Sequence, residues 1–194
     1  AVDRLRPRQP HAADHYVVGR QPILDRNHAV RLIPAERPRA AVHVVRRTNH
    51  HIAVTGNGDG RAAGTAVNAF TSVSMSPSLL LVCLAHDSRT LADIRSSGVF
   101  GVNILAQHHA DLAMRCASKA EKDRFADVVL TSAVTGAPLL GDAVAWFDCE
   151  VESVVAAGDH AIVTGRALAA HAAEDVSPLL YHRGRLAPLQ PIDG

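Results

Sequence analysis

The chain has 194 residues, a formal net charge of +1, 47% hydrophobic and 20% charged residues, and a mean hydropathy of +0.05. Such a size and apolar fraction suit one soluble globular domain, or one domain with an appendage, able to bury a core. The longest unbroken apolar stretch, residues 79–85, excludes a helical membrane span, which needs about 20 apolar residues. The first residues carry charges with no apolar stretch behind them, so they do not read as a secretory signal, and the cytoplasm is the expected location. Cys83, Cys116 and Cys149 are widely separated within apolar or helical patterns, which predicts buried free thiols rather than a disulfide scaffold.

The near-neutral charge is a sum over two unlike parts. Residues 1–50 carry ten arginines against four acids, a segment of +6, which leaves −5 for the remainder. A basic arm can bind nucleic acid. Here the arginines are scattered, Tyr16 is the single aromatic residue among them, and no nucleic-acid motif is present, so that reading is set aside. The whole chain has 18 Arg and two Lys beside abundant Ala, a composition that reflects GC-rich codon usage as much as function.

In chain order, residues 1–38 form an arm with prolines at 7, 10, 22, 34 and 38, where no long helix fits. A hairpin across residues 25–27 is one reading of its middle; an extended arm is the favoured one. Ala40, Ala41, Val44 and Val45 fall at helical spacing, which predicts a short helix ending near Asn49 and opening a domain of residues 39–194. HIAVT at 51–55 alternates like a strand, and GNGDG at 56–60 follows as a turn. Residues 64–76 read as one strand, with Val67, Ala69, Val73 and Met75 on one parity and Asn68, Ser72 and Ser74 on the other. SLLLVCLA at 78–85 is a continuous apolar run, expected as a central strand. HDSRT supplies N-cap candidates for a short helix stopped by Gly98. A strand over 99–105, a helix over 109–120, two long strands flanking the AAGD connection at 156–159, and a final segment PLLYHRGRLAPL complete the chain. About six short strands linked mostly by hairpins, with two or three short helices, predict a mainly β fold, an antiparallel barrel or sandwich.

Four constellations bear on chemistry. GNGDG suggests a dinucleotide loop, but G-x-G-x-x-G would need glycine where Arg61 stands, and a strand pattern follows instead of a helix; a hairpin turn is favoured. Twelve histidines include the adjacent pairs His50-His51 and His108-His109, yet no H-E-x-x-H or Cys pair supports a metal site, and surface histidines are the simpler reading. His160 stands apart because it follows the tight Gly158-Asp159 turn, at a sheet edge. No G-x-S-x-G elbow is present, which argues against a hydrolase. Last, the parity of Asn68, Ser72 and Ser74 offers short donors and acceptors to a flat heterocycle, although a solvent-exposed strand face fits the pattern equally well. Ser88, Arg89 and Thr90 begin a helix where hydroxyls, backbone N–H groups and a cation would meet an anion; a plain N-cap is the simpler reading. Lys119, Lys122 and Arg124 form a second basic group, suited to phosphate or to solvent.

Taken together, GTAVNAFTSVSMSPSLLLVCL, SRTLADIRSSGVFGVNIL, DRF at 123–125, TGAPLL at 135–140, GDH at 158–160 and PLLYHRGR at 178–185 resemble the flavin reductase family of FMN-binding split-barrel proteins, over residues 39–189. The resemblance implies an antiparallel Greek-key split β-barrel, a homodimer, and NAD(P)H-dependent reduction of FMN or FAD, with reduced flavin passed to a separate flavin-dependent monooxygenase. A flavin-binding or electron-transfer barrel without reductase turnover is the alternative. By position, Thr65, Ala66, Val67, Asn68, Ser72, Val73 and Ser74 would line the isoalloxazine. Ala85, Ser88 and Thr90 would approach the ribityl phosphate, with Lys119 and Arg124 completing the anion site. His160 would meet the nicotinamide, with Tyr181 and Arg183 nearby, and no metal is implied. One departure is Leu186, where the family often carries an aromatic residue after YHRGR.

Overall fold

Every pairing in the main sheet is antiparallel. The computed structural model describes residues 33–34, 52–58, 61–121 and 123–189. The hairpin weighed for residues 25–27, the helix expected after Arg39, and Lys122 lie outside the described residues. The elements are β1 (Ile33–Pro34), β2 (Ile52–Gly58), β3 (Arg61–Val67), β4 (Phe70–Met75), β5 (Ser78–Ala85), α1 (Arg89–Ser97), β6 (Val99–Ile104) and α2 (Ala110–Ala117). They continue with β7 (Leu130–Thr131), β8 (Leu139–Leu140), β9 (Ala145–Ala157), β10 (His160–Ala172), β11 (Leu179–His182) and β12 (Arg185–Pro188). A 3₁₀ turn, Gln107–His109, leads into α2.

The sheet order is β3-β2-β6-β9-β10-β5-β4, with β1 beside β10. The hairpins β2–β3, β4–β5 and β9–β10 join sequence neighbours, whereas β5 reaches β6 through α1, on the far side of β9 and β10. The sheet curls, so that β3 comes against β5. This is the mainly β, antiparallel split barrel expected from the sequence.

Local sequence explains most elements. β5 is apolar throughout because Leu80, Val82 and Leu84 point into the core while Leu79, Leu81 and Cys83 are half-buried on the other face. α1 buries Leu91 and Ile94 completely, a three-residue spacing that puts both on one face. Burial of each stabilises the fold by roughly 1.5–3 kcal/mol. The helix stops where Gly98 takes φ 74° and its N–H caps the Ile94 carbonyl. In the β9–β10 turn Gly158 has φ 63° and Asp159 does not share it, the arrangement of a type II′ hairpin turn. In the β11–β12 turn both Arg183 (φ 50°) and Gly184 (φ 78°) are left-handed, as type I′ demands.

Two buried polar groups anchor the long connections. Asp148, fully buried on β9, accepts hydrogen bonds from the Thr135 N–H at 2.8 Å and from the Thr135 hydroxyl, pinning the TGAPLL loop. Asn103 on β6 accepts from the Leu140 N–H at 2.8 Å.

Three expectations are corrected. Residues 64–76 are not one strand: the chain breaks at Asn68–Ala69, between β3 and β4. The strand expected at 51–55 runs on through Gly58, which pairs with Arg61, so the first three residues of GNGDG belong to β2 rather than to a turn. On β4 the apolar parity faces outward, with Val73 51% and Met75 46% exposed, while Ser72 and Ser74 are half-buried with Phe70. The break resets the alternation, and a bulge leaves Val73 opposite no residue between the pairs Ser72–Leu80 and Ser74–Leu79.

Candidate functional site

An open cleft of about 600 Å³ lies where β3, the end of β5, the first turn of α1 and the loop after α2 converge. One wall is β3 and its continuation through Ala69; its alternating small side chains leave backbone and polar edges accessible to a flat ligand. Thr65, Ala66 and Val67 are half-buried here and Asn68 is exposed. The facing wall is Cys83 to Ala85 at the end of β5, followed by Asp87, Ser88 and Arg89.

The N-terminus of α1 opens on this wall. Ser88 occupies the N-cap position but its hydroxyl makes no capping hydrogen bond, and no acidic residue lies in the first turn. The first N–H groups of the helix and its positive dipole end are therefore left for an anion. Two residues beyond Ser88, Thr90 is 1% exposed and its Oγ1 has no partner, an orphaned buried hydroxyl just behind the open helix end. A phosphate-bearing, flat heterocycle such as a flavin thus fits the residues present.

Most cations of the cleft are already engaged. Lys119 donates to Asp87 at 2.8 Å, and this contact holds the exposed Asp87 carboxyl below the usual carboxylate range. Arg61 pairs with Asp123 at 3.4 Å. The Arg124 guanidinium donates to the carbonyl oxygens of Gly64 and Ser118, bracing β3 against the loop that carries Lys119.

At the rim, His160 opens β10 opposite Ala85. Its Nδ1 lies 2.8 Å from the Asp159 carboxylate, which this contact holds below the usual carboxylate range. The carboxylate accepts, so the hydrogen sits on Nδ1 and Nε2 remains for a ligand. The Asp159 carbonyl in turn accepts from the His86 N–H at 3.1 Å, tying the two turns together.

Of the residues singled out from sequence, Thr65, Ala66, Val67, Asn68, Ala85, Ser88, Lys119, Arg124 and His160 line this cleft. Thr90 lies behind it in the core. Ser72, Val73 and Ser74 sit on β4 and Tyr181 and Arg183 on the β11–β12 hairpin, and none of these five lines it. Sequence reasoning missed Arg61, Asp87 and Asp123, whose pairing joins positions far apart in the chain. Only the HDSRT stretch hinted at Asp87, as a cap candidate.

Of the adjacent pair His108 and His109, the second departs from its expected surface position. His109 is 7% exposed; its Nδ1 accepts from the Ala106 N–H at 3.0 Å, and its Nε2 lies 3.1 Å from Asp142. His108 reaches the same carboxylate at 3.0 Å. The ligand atoms of His108, His109 and Asp142 lie within 4.8 Å of one another. An Nδ1 that accepts puts the hydrogen on Nε2, aimed at Asp142, so the lone pair a metal would need on that nitrogen is not presented.

The chain belongs to the flavin reductase family: the sequence model described as "Flavin reductase like domain" matches residues 45–190. It is 42% identical over 110 residues to a probable flavin reductase of Rhizobium meliloti, a match spanning 57% of this chain and 35% of that protein. It is 35% identical over 133 residues to the flavin-dependent monooxygenase reductase subunit HsaB of Rhodococcus jostii, covering 69% and 68% of the two chains. Among solved structures, the NADH:FAD oxidoreductase SgcE6 of Streptomyces globisporus, in complex with NAD and FAD fragments, superposes with a TM-score of 0.69 at 27% identity, over 84% of this chain and 99% of that one. No helix among the described residues is long and apolar enough to cross a membrane.

Proposed function

We propose that this chain is an NAD(P)H:flavin oxidoreductase that reduces FMN or FAD and supplies reduced flavin to a flavin-dependent monooxygenase. The observation that carries the reading is the convergence on one cleft of the small-residue edge of β3, the open N-terminus of α1 and the Asp159-oriented His160. Family membership and the solved relative with NAD and FAD fragments support the same assignment.

Bound together, the two groups supply the redox chemistry themselves, hydride passing from nicotinamide C4 to flavin N5. The protein binds and aligns them. Thr65, Asn68 and the β3 backbone offer hydrogen bonds to the flavin edge, and Ala66 and Val67 keep that wall shallow enough for a ring to lie flat. Ser88 and the first N–H groups of α1 take the phosphate, with Arg89 adding charge and Thr90 behind them. His160 orients the nicotinamide through Nε2; Tyr181 and Arg183, on the separate hairpin, are assigned to the same nucleotide. Alignment of two rings at reacting distance accounts for a large part of such a rate enhancement. We further assign the working form as a cytoplasmic homodimer.

The test is anaerobic mixing of the purified chain with NADH or NADPH and excess FMN, FAD or riboflavin. Bleaching of the flavin absorbance with one nicotinamide is expected. Stable flavin binding without bleaching by either would make the chain a flavin-binding module instead.

A further inference from the structure

The cations of the cleft are almost all engaged before any ligand arrives. Arg61 pairs with Asp123, Arg124 is committed to the Gly64 and Ser118 carbonyls, and Lys119 is held by Asp87 at 2.8 Å. Among the described residues, Arg89 alone of the cleft's Lys and Arg side chains has neither an ion pair nor a side-chain hydrogen bond. Asp87 lies in the turn between β5 and α1, next to the N-cap Ser88, so its carboxylate stands beside the helix end that would receive an anion. Lys119 reaches it from the other side of the cleft, in the loop after α2.

Resting on the flavin reading above, we propose that Asp87 is a positioning residue for Lys119, a built-in counter-charge that occupies its ammonium and weakens the cleft's grip on phosphorylated flavins relative to riboflavin. A phosphate and the Asp87 carboxylate compete for the same ammonium donors, and the carboxylate also repels the phosphate directly. Both partners are largely exposed, with side-chain exposures of 86% and 68%, so the pair exchanges readily and its worth is that of a surface ion pair. A modest handicap of this kind suits a protein that releases flavin in each cycle: it leaves ring recognition intact and shortens the stay of the anionic ligand, most differences in affinity being differences in departure rate.

The experiment measures equilibrium binding of FMN and riboflavin to the full chain at low salt, for wild type, Asp87→Asn, Asp87→Glu, Lys119→Gln and the Asp87→Asn/Lys119→Gln double variant. Asp87→Asn is expected to lower the Kd for FMN about 2- to 5-fold, the range set by an exposed ion pair, with riboflavin unchanged. Asp87→Glu keeps wild-type affinities, and most of the gain disappears when Lys119 is also removed. Equal change for FMN and riboflavin, no change for FMN, or survival of the full gain in the double variant overturns the proposal. Wild-type protein that binds neither flavin overturns the reading on which it rests.

Discussion

A β-carbon on Gly165 would lie 2.4 Å from Cζ of Phe100 and 2.6 Å from its Cε1. Gly165 sits in β10 where the pairing with β9 slips by a residue, and the Phe100 ring, fully buried on β6, fills the space that any other side chain would need. The ring cannot yield, being packed in the same core as Val102, Phe147 and Cys149. Gly165→Ala is therefore expected to destabilise the fold by about 1–3 kcal/mol, the usual cost of overpacking. Urea unfolding checks it; a variant within ~0.5 kcal/mol of wild type would mean that β10 can move away from β6.

Arg124 separates bracing from ligand binding. Its two carbonyl partners, Gly64 and Ser118, flank Thr65 and Lys119 in the chain, so loss of the fork should loosen both walls of the cleft. A lysine keeps the charge but cannot span both carbonyls. Arg124→Lys is expected to cost about 1–3 kcal/mol of stability, the worth of charge-assisted hydrogen bonds in a half-buried setting, and to weaken riboflavin and FMN alike. If stability were unchanged and only FMN weakened, Arg124 would be a phosphate ligand.

Those two residues also show what the sequence made legible. The apolar run of β5, the Leu91–Ile94 spacing with its Gly98 stop, and the turn at Gly158 were readable because each depends on a few adjacent residues. The interruption at Asn68–Ala69 was not, since both sides of it alternate and nothing local marks the break. Ser72 and Ser74, read from the sequence as one row with Asn68, stand on β4 beyond that break, and the β3 wall of the cleft runs only as far as Ala69. Likewise Ile33–Pro34, which pair with Ala169 and Ala170 of β10, are too few to carry a pattern. The ion pairs of Asp87 and Asp123, and the burial of His109, depend on which loops the barrel brings together.

His109 and Asp142 give the fold a dependence on acid. Burial pushes the His109 imidazole below its ordinary value of 6.5, with Asp142 opposing the shift only in part. Burial also works to raise Asp142, but its contacts with His108 and His109 outweigh that and leave it lowered from 3.8. A histidine lowered in the folded state takes up protons more readily when unfolded, so stability falls as pH drops below 6.5 and continues to fall until the folded value is passed. The lowered carboxylate contributes stability above 3.8 that is lost as pH falls through its folded value, a second step of the same sign at lower pH. His109→Asn keeps an acceptor for the Ala106 N–H and removes the titration. Its urea midpoint should change less than that of wild type between pH 7.5 and 5.5, and an identical decline would assign the effect to other groups.

His160 and Asp159 test the nicotinamide assignment. The Asp159 carboxylate fixes the Nδ1 side of the ring at 2.8 Å, so that Nε2 is the nitrogen left to meet a ligand, and His160 is half-exposed at the cleft rim. A residue that orients the nicotinamide without taking part in electron transfer contributes to its binding more than to the chemical step. His160→Ala should raise the KM for NADH or NADPH about tenfold, the worth of one good hydrogen bond, with flavin Kd within about twofold of wild type. Asp159→Ala, which frees the ring to rotate, should move KM in the same direction by less. Steady-state kinetics at saturating flavin, paired with flavin titrations, read both quantities. Equal losses in nicotinamide KM and flavin Kd would place His160 at the flavin, and a fall in kcat at constant KM would make it part of the chemical step.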